Sequence, residues 1–319
     1  MKRFLSALVA LPLAVSLVAC DSQSGPYGAE PSAQRSHLKR AANAVKYVAL
    51  GDSFASMSGA DSLDDSTPRA EFCMRSADSY PHIVAAQIGA SLNDATCQGA
   101  TTADVLESYD TDEGRVFSQI ESLTPDTTLV TLTIGGNDVS FGAPSGCDPR
   151  DLIAGDPEVN EAFPGILQTD AEREAACIAD AQAANDEAVA ELPDKLDEIY
   201  QAIEQRSPKA MVIATGYLPV ILEGDTCDYA NALSPSDLQW FQDTTDQLNS
   251  TVEQSASEHG AIYVMPNDAA QHTACTSADD RWTSIDGSDT NSFPMHPTPA
   301  GQKTMADAVV QAYESHVGA

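Results

Sequence analysis

Apolar residues fall into two kinds of pattern along this chain. Short uninterrupted runs mark strands buried on both faces. One occurs at Tyr47-Val48-Ala49-Leu50, closed by Gly51; Thr128 to Ile134, rich in Val, Thr, Leu and Ile and closed by Gly135-Gly136, reads as a second buried strand. Ala210 to Thr215 and Ala261 to Val264 read the same way. Helical periods separate these runs. Ser79 to Gly89 places Ile83, Val84 and Ile88 at helical spacing. Asp170 to Gln205 is long and rich in Ala and Glu, with an interruption expected near Pro193. Ser236 to Glu258 and Pro299 to Val317 each open on a Ser or Thr-Pro start. Strands alternating with helices predict an α/β fold in three layers, α/β/α, with a mainly parallel central sheet. Phe141 to Gln168 and Met265 to Pro297 have no period. Both follow predicted strand ends, where α/β sheets carry their sites.

The first residues follow a different logic. Lys2 and Arg3 precede an apolar run from Phe4 to Ala19, shorter than a comfortable membrane span, and Cys20 follows. The charged start and small-residue end read as an export signal over residues 1–19. Leu17-Val18-Ala19-Cys20 resembles the lipobox of bacterial lipoproteins. That resemblance implies cleavage before Cys20, diacylation of its thiol and tethering to the outer face of a membrane; the alternative is a plain secreted protein. Residues 20–45, rich in Ser, Gly, Pro, Gln and Ala, read as a solvated, flexible tether, and residues 46–319 as a single domain.

Charge narrows the function. The 319 residues carry 48 acidic against 16 basic side chains, a net charge of −32. Loss of residues 1–19 removes two bases, leaving −34. A phosphate-tracking surface needs clustered Lys and Arg, so nucleic acid is excluded as a partner. The apolar fraction of 42% is enough for a core. Of seven cysteines, Cys20 is the expected anchor, leaving Cys73, Cys97, Cys147, Cys177, Cys227 and Cys275. No C-x-x-C or C-x-x-H pair is present, so a zinc site is not expected and disulfides are. Six cysteines allow 15 connectivities.

The chemistry concentrates at strand ends. Gly51-Asp52-Ser53-Phe54 follows the first strand, and a serine at such a turn presents its hydroxyl at the sheet's carboxyl edge. Gly135-Gly136-Asn137-Asp138 follows the other strong strand, and His296 lies in Pro294-Met295-His296-Pro297 before the last helix. Serine needs a base within hydrogen-bond reach, and a histidine can supply it at neutral pH. With these blocks in order, the chain resembles the SGNH hydrolases, or GDSL esterases and lipases. The resemblance implies a flavodoxin-like α/β fold, Ser53 as nucleophile and His296 as base. It implies an oxyanion hole from the Ser53 N–H, Gly99 (in Cys97-Gln98-Gly99-Ala100-Thr101) and Asn137. The cysteines are similar to the three-bridge pattern of secreted actinobacterial members. That implies Cys73–Cys97, Cys147–Cys177 and Cys227–Cys275.

One position departs from the family pattern. Phe293 stands where many members have the Asp that orients the histidine, and Pro294 follows it. A main-chain carbonyl near Phe293 or Pro294 is expected to take that role, giving a Ser–His dyad, and the upstream carboxylates Asp286 and Asp289 are the alternative. His82 reads as a helix-face residue and His272 as a surface residue. His37, His259 and His316 read as solvent residues, and Trp240 and Trp282 as core. Asp52 and Asp138 read as loop braces, and Asp61, Asp64 and Asp65 lack the rhythm of a calcium loop. The expected activity is acyl-ester hydrolysis through an acyl-enzyme, by a monomer without metal or organic cofactor. The expected substrates are esters of cell-envelope lipids or glycolipids. A generic secreted lipase or carboxylesterase, a polysaccharide O-acetylesterase, and a non-catalytic binding lipoprotein of the same fold are the alternatives.

Overall fold

The computed structural model describes residues 45–111, 114–139, 171–233 and 235–318. Cys20, His37, Cys147 and the stretch from Phe141 to Gln168 lie outside the described residues. The sheet starts at β1 (Lys46–Gly51), followed by the short α1 (Ser53–Ser56), α2 (Pro68–Phe72), α3 (Tyr80–Ile88) and the edge strand β2 (Ser91–Asp94). Next come α4 (Thr102–Leu106), the hairpin of β3 (Tyr109–Thr111) and β4 (Gly114–Val116), and the central strand β5 (Leu129–Thr133). The second half of the chain holds α5 (Ala171–Arg206), β6 (Met211–Thr215), α6 (Asp228–Ala232), α7 (Pro235–Glu258), β7 (Ile262–Val264) and α8 (Pro299–Val317).

Five strands pair in parallel in the order β2-β1-β5-β6-β7. This is the flavodoxin-like order, and the chain reverses its direction of travel between β1 and β5. Side chains alternate across the sheet. Val48, Leu50, Val130 and Leu132 face one layer, with Leu192, Leu196, Ile199 and Ile203 of α5 and Leu248 and Val252 of α7. Tyr47, Ala49, Leu129 and Ile213 face the other, with Val84 of α3 and Met305 and Val309 of α8. Helices therefore cover both faces, which is why β1 and β5 are buried almost throughout.

One expectation fails on energetics. The long helix was expected to break near Pro193, yet α5 runs through it. Pro193 is exposed, so water can satisfy the carbonyl that loses its partner. On the opposite face, four fully buried side chains span the proline. Each contributes roughly 1.5–3 kcal/mol on burial, against about 3 kcal/mol for an internal proline. Packing wins.

Two of the three expected disulfides are formed, Cys73–Cys97 and Cys227–Cys275. The third involves Cys147, outside the described residues. Among the described residues no helix is long and apolar enough to cross a membrane.

Candidate active site

The site lies where β1 and β5 end side by side, Gly51 opposite Thr133 in the register. A β-carbon on Gly51 would sit 2.7 Å from the Thr133 carbonyl oxygen, so only glycine fits this close approach. Asp52 then turns the chain into α1, its Oδ1 accepting the Phe54 N–H at 2.9 Å. Ser53 is the first helical residue, 8% exposed. The buried Gln119 amide holds the turn from behind, accepting the Gly51 N–H at 2.7 Å and donating to the Gly51 carbonyl at 2.9 Å.

His296 reaches Ser53 from the opposite end of the chain. Its Nε2 lies 2.8 Å from Ser53 Oγ, and its Nδ1 lies 2.6 Å from the Pro294 carbonyl oxygen. A carbonyl only accepts, so Nδ1 carries the proton and Nε2 presents its lone pair to the serine. Burial penalises the imidazolium and holds the histidine below its ordinary pKa, partly offset by the Pro294 carbonyl. Phe54 packs beside the ring at 5.4 Å between centroids. Met295 sits between the carbonyl and the histidine at φ 60°, a left-handed backbone unusual for a non-glycine residue. Its N–H donates to the Ile285 carbonyl at 3.1 Å. Its side chain packs on the small cluster of Val220, Ile221, Ala230 and Ala274, beside the Cys227–Cys275 bridge.

The other candidates for orienting His296 are engaged elsewhere. Asp289 pairs with Arg281 at 3.2 Å, and Asp286 accepts the Ser288 N–H at 2.9 Å. The Phe293 carbonyl accepts the main-chain N–H of His296 at 3.2 Å.

The segments holding Gly99 and Asn137 meet beside the serine turn. Cys97 donates its N–H to the Gly51 carbonyl at 3.0 Å, which ties the segment holding Gly99 to the end of β1, and the next residue, Gln98, donates its N–H to the Cys73 carbonyl at 3.1 Å. Gly99 adopts φ +68°, and no atom lies within 4 Å of where a β-carbon would stand. Asn137 Nδ2 donates one hydrogen to the Ala100 carbonyl at 2.9 Å, which fixes the amide plane and leaves its second hydrogen for another acceptor. Asp138 braces this turn, accepting the Thr102 N–H at 2.9 Å and the Thr102 hydroxyl at 2.5 Å.

Asp52 is also a brace. Its Oδ2 accepts the Tyr217 hydroxyl, while that hydroxyl accepts the Gly136 N–H at 2.9 Å. Burial pushes the Asp52 carboxyl up to about 7 despite these donors. Among the described residues no group of three or more His, Cys, Asp or Glu is placed to hold a metal ion.

Remaining candidates sit apart from this constellation. His82 bonds Asp94 at 3.1 Å. His272 stacks on Trp282 at 4.0 Å and donates Nδ1–H to the Asp280 carbonyl at 2.6 Å. Trp240 is buried, Asp64 accepts the Ser66 N–H, and His316 is exposed. His259 is not a plain solvent residue: it bonds Asp197 at 2.7 Å and stacks on Tyr200.

Sequence reasoning passed over two residues that hold the constellation together. Gln302 donates to the carbonyls of Phe54 at 2.8 Å and Met57 at 2.7 Å, and accepts the Tyr80 N–H at 2.7 Å. It is a polar residue on the buried stripe of α8 with Met305, Ala306 and Val309, and that misfit was the available signal. Tyr217 follows β6 in a stretch with no such mark.

Comparison with known proteins identifies the family. The model of the GDSL-like lipase/acylhydrolase family matches residues 49–304. "Lipase 2" of Streptomyces coelicolor is 30% identical over 314 residues, covering 96% of this chain and 95% of that protein. A lipase of Streptomyces rimosus is 32% identical over 262 residues, covering 81% and 83%. The crystal structure of the extracellular lipase of Streptomyces rimosus superposes with a TM-score of 0.61 at 30% identity, covering 85% of this chain and 99% of that one. Phospholipase A1 of Streptomyces albidoflavus gives a TM-score of 0.61 at 29% identity with the same coverage.

Proposed function

The chain belongs to the GDSL-like lipase/acylhydrolase family and is an ester hydrolase; on that premise we propose that Ser53 is its nucleophile and His296 its general base. The observation that carries this is the single line of contacts from the Pro294 carbonyl through the imidazole to Ser53 Oγ, at 2.6 and 2.8 Å. Nε2 takes the serine proton as Oγ attacks the ester carbonyl carbon. The negative charge moves to the former carbonyl oxygen, which meets the Ser53 N–H, the Gly99 N–H and the second hydrogen of Asn137 Nδ2. The imidazolium returns its proton to the departing alcohol, and water repeats the sequence on the acyl-enzyme. A main-chain carbonyl fixes the tautomer as an aspartate would, but supplies less charge to the imidazolium.

The substrate reading is acyl esters of envelope lipids or glycolipids, reached from a membrane tether at Cys20. Two observations support it: the lipobox-like Leu17-Val18-Ala19-Cys20, and relatives described as lipases and a phospholipase A1. A secreted lipase without a tether is the second reading, favoured by the relative described as extracellular.

A fluorophosphonate probe should label Ser53, and label nothing in Ser53→Ala. The purified domain should cleave p-nitrophenyl esters and release fatty acid from phospholipid vesicles. An unlabelled, inert domain would instead indicate a binding protein. For the tether, Cys20→Ala should release the protein from membranes; unchanged membrane partition would refute lipidation.

A further inference from the structure

Tyr217 has no place in the chemistry above, yet its hydroxyl lies between the two turns that chemistry depends on. The residue is fully buried. Its hydroxyl donates to the carboxylate of Asp52, the residue before the nucleophile, and accepts the N–H of Gly136, the residue before Asn137. Its own main chain is clamped by one amide: Asn249 Oδ1 accepts the Tyr217 N–H at 2.7 Å, and Asn249 Nδ2 donates to the Tyr217 carbonyl at 3.0 Å. Its ring packs against Phe54, the residue after the nucleophile, at 5.0 Å. Gly136 is fitted to that ring, because a β-carbon there would meet Tyr217 Cε1 at 2.6 Å. Asp52 and Asp138 are the charged groups that bear on the hydroxyl.

Resting on the proposed oxyanion site, we propose that Tyr217 is a positioning residue that sets the distance between the nucleophile turn and the Asn137 turn. Two of the three oxyanion donors, the Ser53 N–H and the Asn137 side chain, sit on separate turns at the ends of β1 and β5. The strands hold their register up to Gly51 and Thr133, but beyond those residues the ladder ends. Asp52 N–H donating to the Thr133 carbonyl is the last main-chain link between them. Past that point the Asp52–Tyr217–Gly136 bridge spans the gap. Oxyanion donors act only when aimed at the position the charge will occupy, so a small splay of these turns weakens transition-state binding more than substrate binding.

The test is Tyr217→Phe, which keeps the ring and removes the bridge. With a short p-nitrophenyl ester, kcat should fall by about 10- to 100-fold while KM changes by less than about threefold. Inhibition by butylboronic acid, whose serine adduct places an oxygen among the same donors, should weaken in parallel. A kcat within about threefold of the parent, or a fall in kcat with unchanged boronate inhibition, would overturn the proposal. Gly136→Ala attacks the same contact from the other side and should give the same signature, so the question stays answerable if Tyr217→Phe does not fold. Ser53→Ala separates the two levels of inference. If it stays active, the nucleophile assignment fails; if it is inert and Tyr217→Phe behaves as the parent, only the positioning role fails.

Discussion

Removing the charge at Asp52 should change how stability depends on pH, and the structure fixes the sign. Burial raises this carboxyl from 3.8 to about 7; hydrogen bonds from Tyr217 and Phe54 pull it back, and the charge of Asp138 adds to it. Below about pH 4 the group is protonated in both the folded and unfolded chain and contributes no difference. As pH rises, the unfolded chain releases the proton while the fold retains it, so the fold loses stability. Above about pH 7 both forms are ionised and the full penalty applies. A displacement of roughly three pH units corresponds to about 4 kcal/mol. Asn at this position does not titrate. Urea unfolding of Asp52→Asn and the parent, bridges intact, should therefore show the difference moving in the variant's favour by about 4 kcal/mol between pH 4 and pH 8. A constant offset from the altered hydrogen bonds will sit beneath that trend. His296 titrates with the opposite sign, losing stability as pH falls, but it is present in both proteins and cancels. A difference flat to within about 1 kcal/mol, or one that tilts toward the parent at high pH, would refute the reasoning.

Ser53→Ala and His296→Ala should abolish ester hydrolysis, whereas Asp286→Ala and Asp289→Ala should each stay within about tenfold in kcat/KM; a loss of several orders of magnitude from either Asp variant would replace the carbonyl with a carboxylate. Because burial lowers the His296 pKa, the acid limb of the kcat/KM profile should lie below the ordinary histidine value of 6.5, and a limb above it would contradict the desolvation argument. Met295→Val places a β-branched side chain at φ 60° and should cost about 1–3 kcal/mol with a drop in kcat, while Met295→Gly should keep kcat and lose thermal stability; equal kcat in both would show that the left-handed turn does not set the histidine. Gln302→Leu strands two carbonyls and one N–H, each costing about 1–3 kcal/mol, so its melting temperature should fall well below that of an exposed control such as Lys303→Leu.

What the sequence reveals depends on how local the cause is. β1 and β5 were legible because strands covered on both faces carry near-continuous apolar runs. These are broken only by Lys46 at the start of β1 and by the buried Thr131 and Thr133 of β5. β2 was not: Ser91-Leu92-Asn93-Asp94 is a four-residue edge strand, half exposed, held by parallel pairing to β1 rather than by its own composition. Pro193 misled because the local penalty is visible in the sequence and the opposing burial is not. At the site, Ser53, Gly99, Asn137 and His296 fall in motifs. The acceptor on His296 Nδ1 is a main-chain oxygen, an atom every residue carries, so the sequence signals it only indirectly, through Phe293 standing where an Asp is expected. Tyr217 and Gln302 bond groups that are distant in the chain, and only the packed structure reveals them.

Gln302 also has a consequence for biogenesis. Ser53 and His296 are 243 residues apart, and α8 docks against the Ser53 turn through the Gln302 amide and through Met305 and Ala306, which share a core cluster with Ala55. A polypeptide threading outward through a secretion channel would emerge with Ser53 early and His296 almost last. With Ser53 and His296 in the proposed roles, the hydroxyl has no partner to take its proton until the final helix seats, so a half-exported or prematurely released chain would be inert. Were the chain exported in that order, the producing cell would be shielded from its own hydrolase. For the same reason, two fragments divided between Cys275 and His296, which leaves the Cys227–Cys275 bridge whole, should be silent separately and recover activity only on mixing.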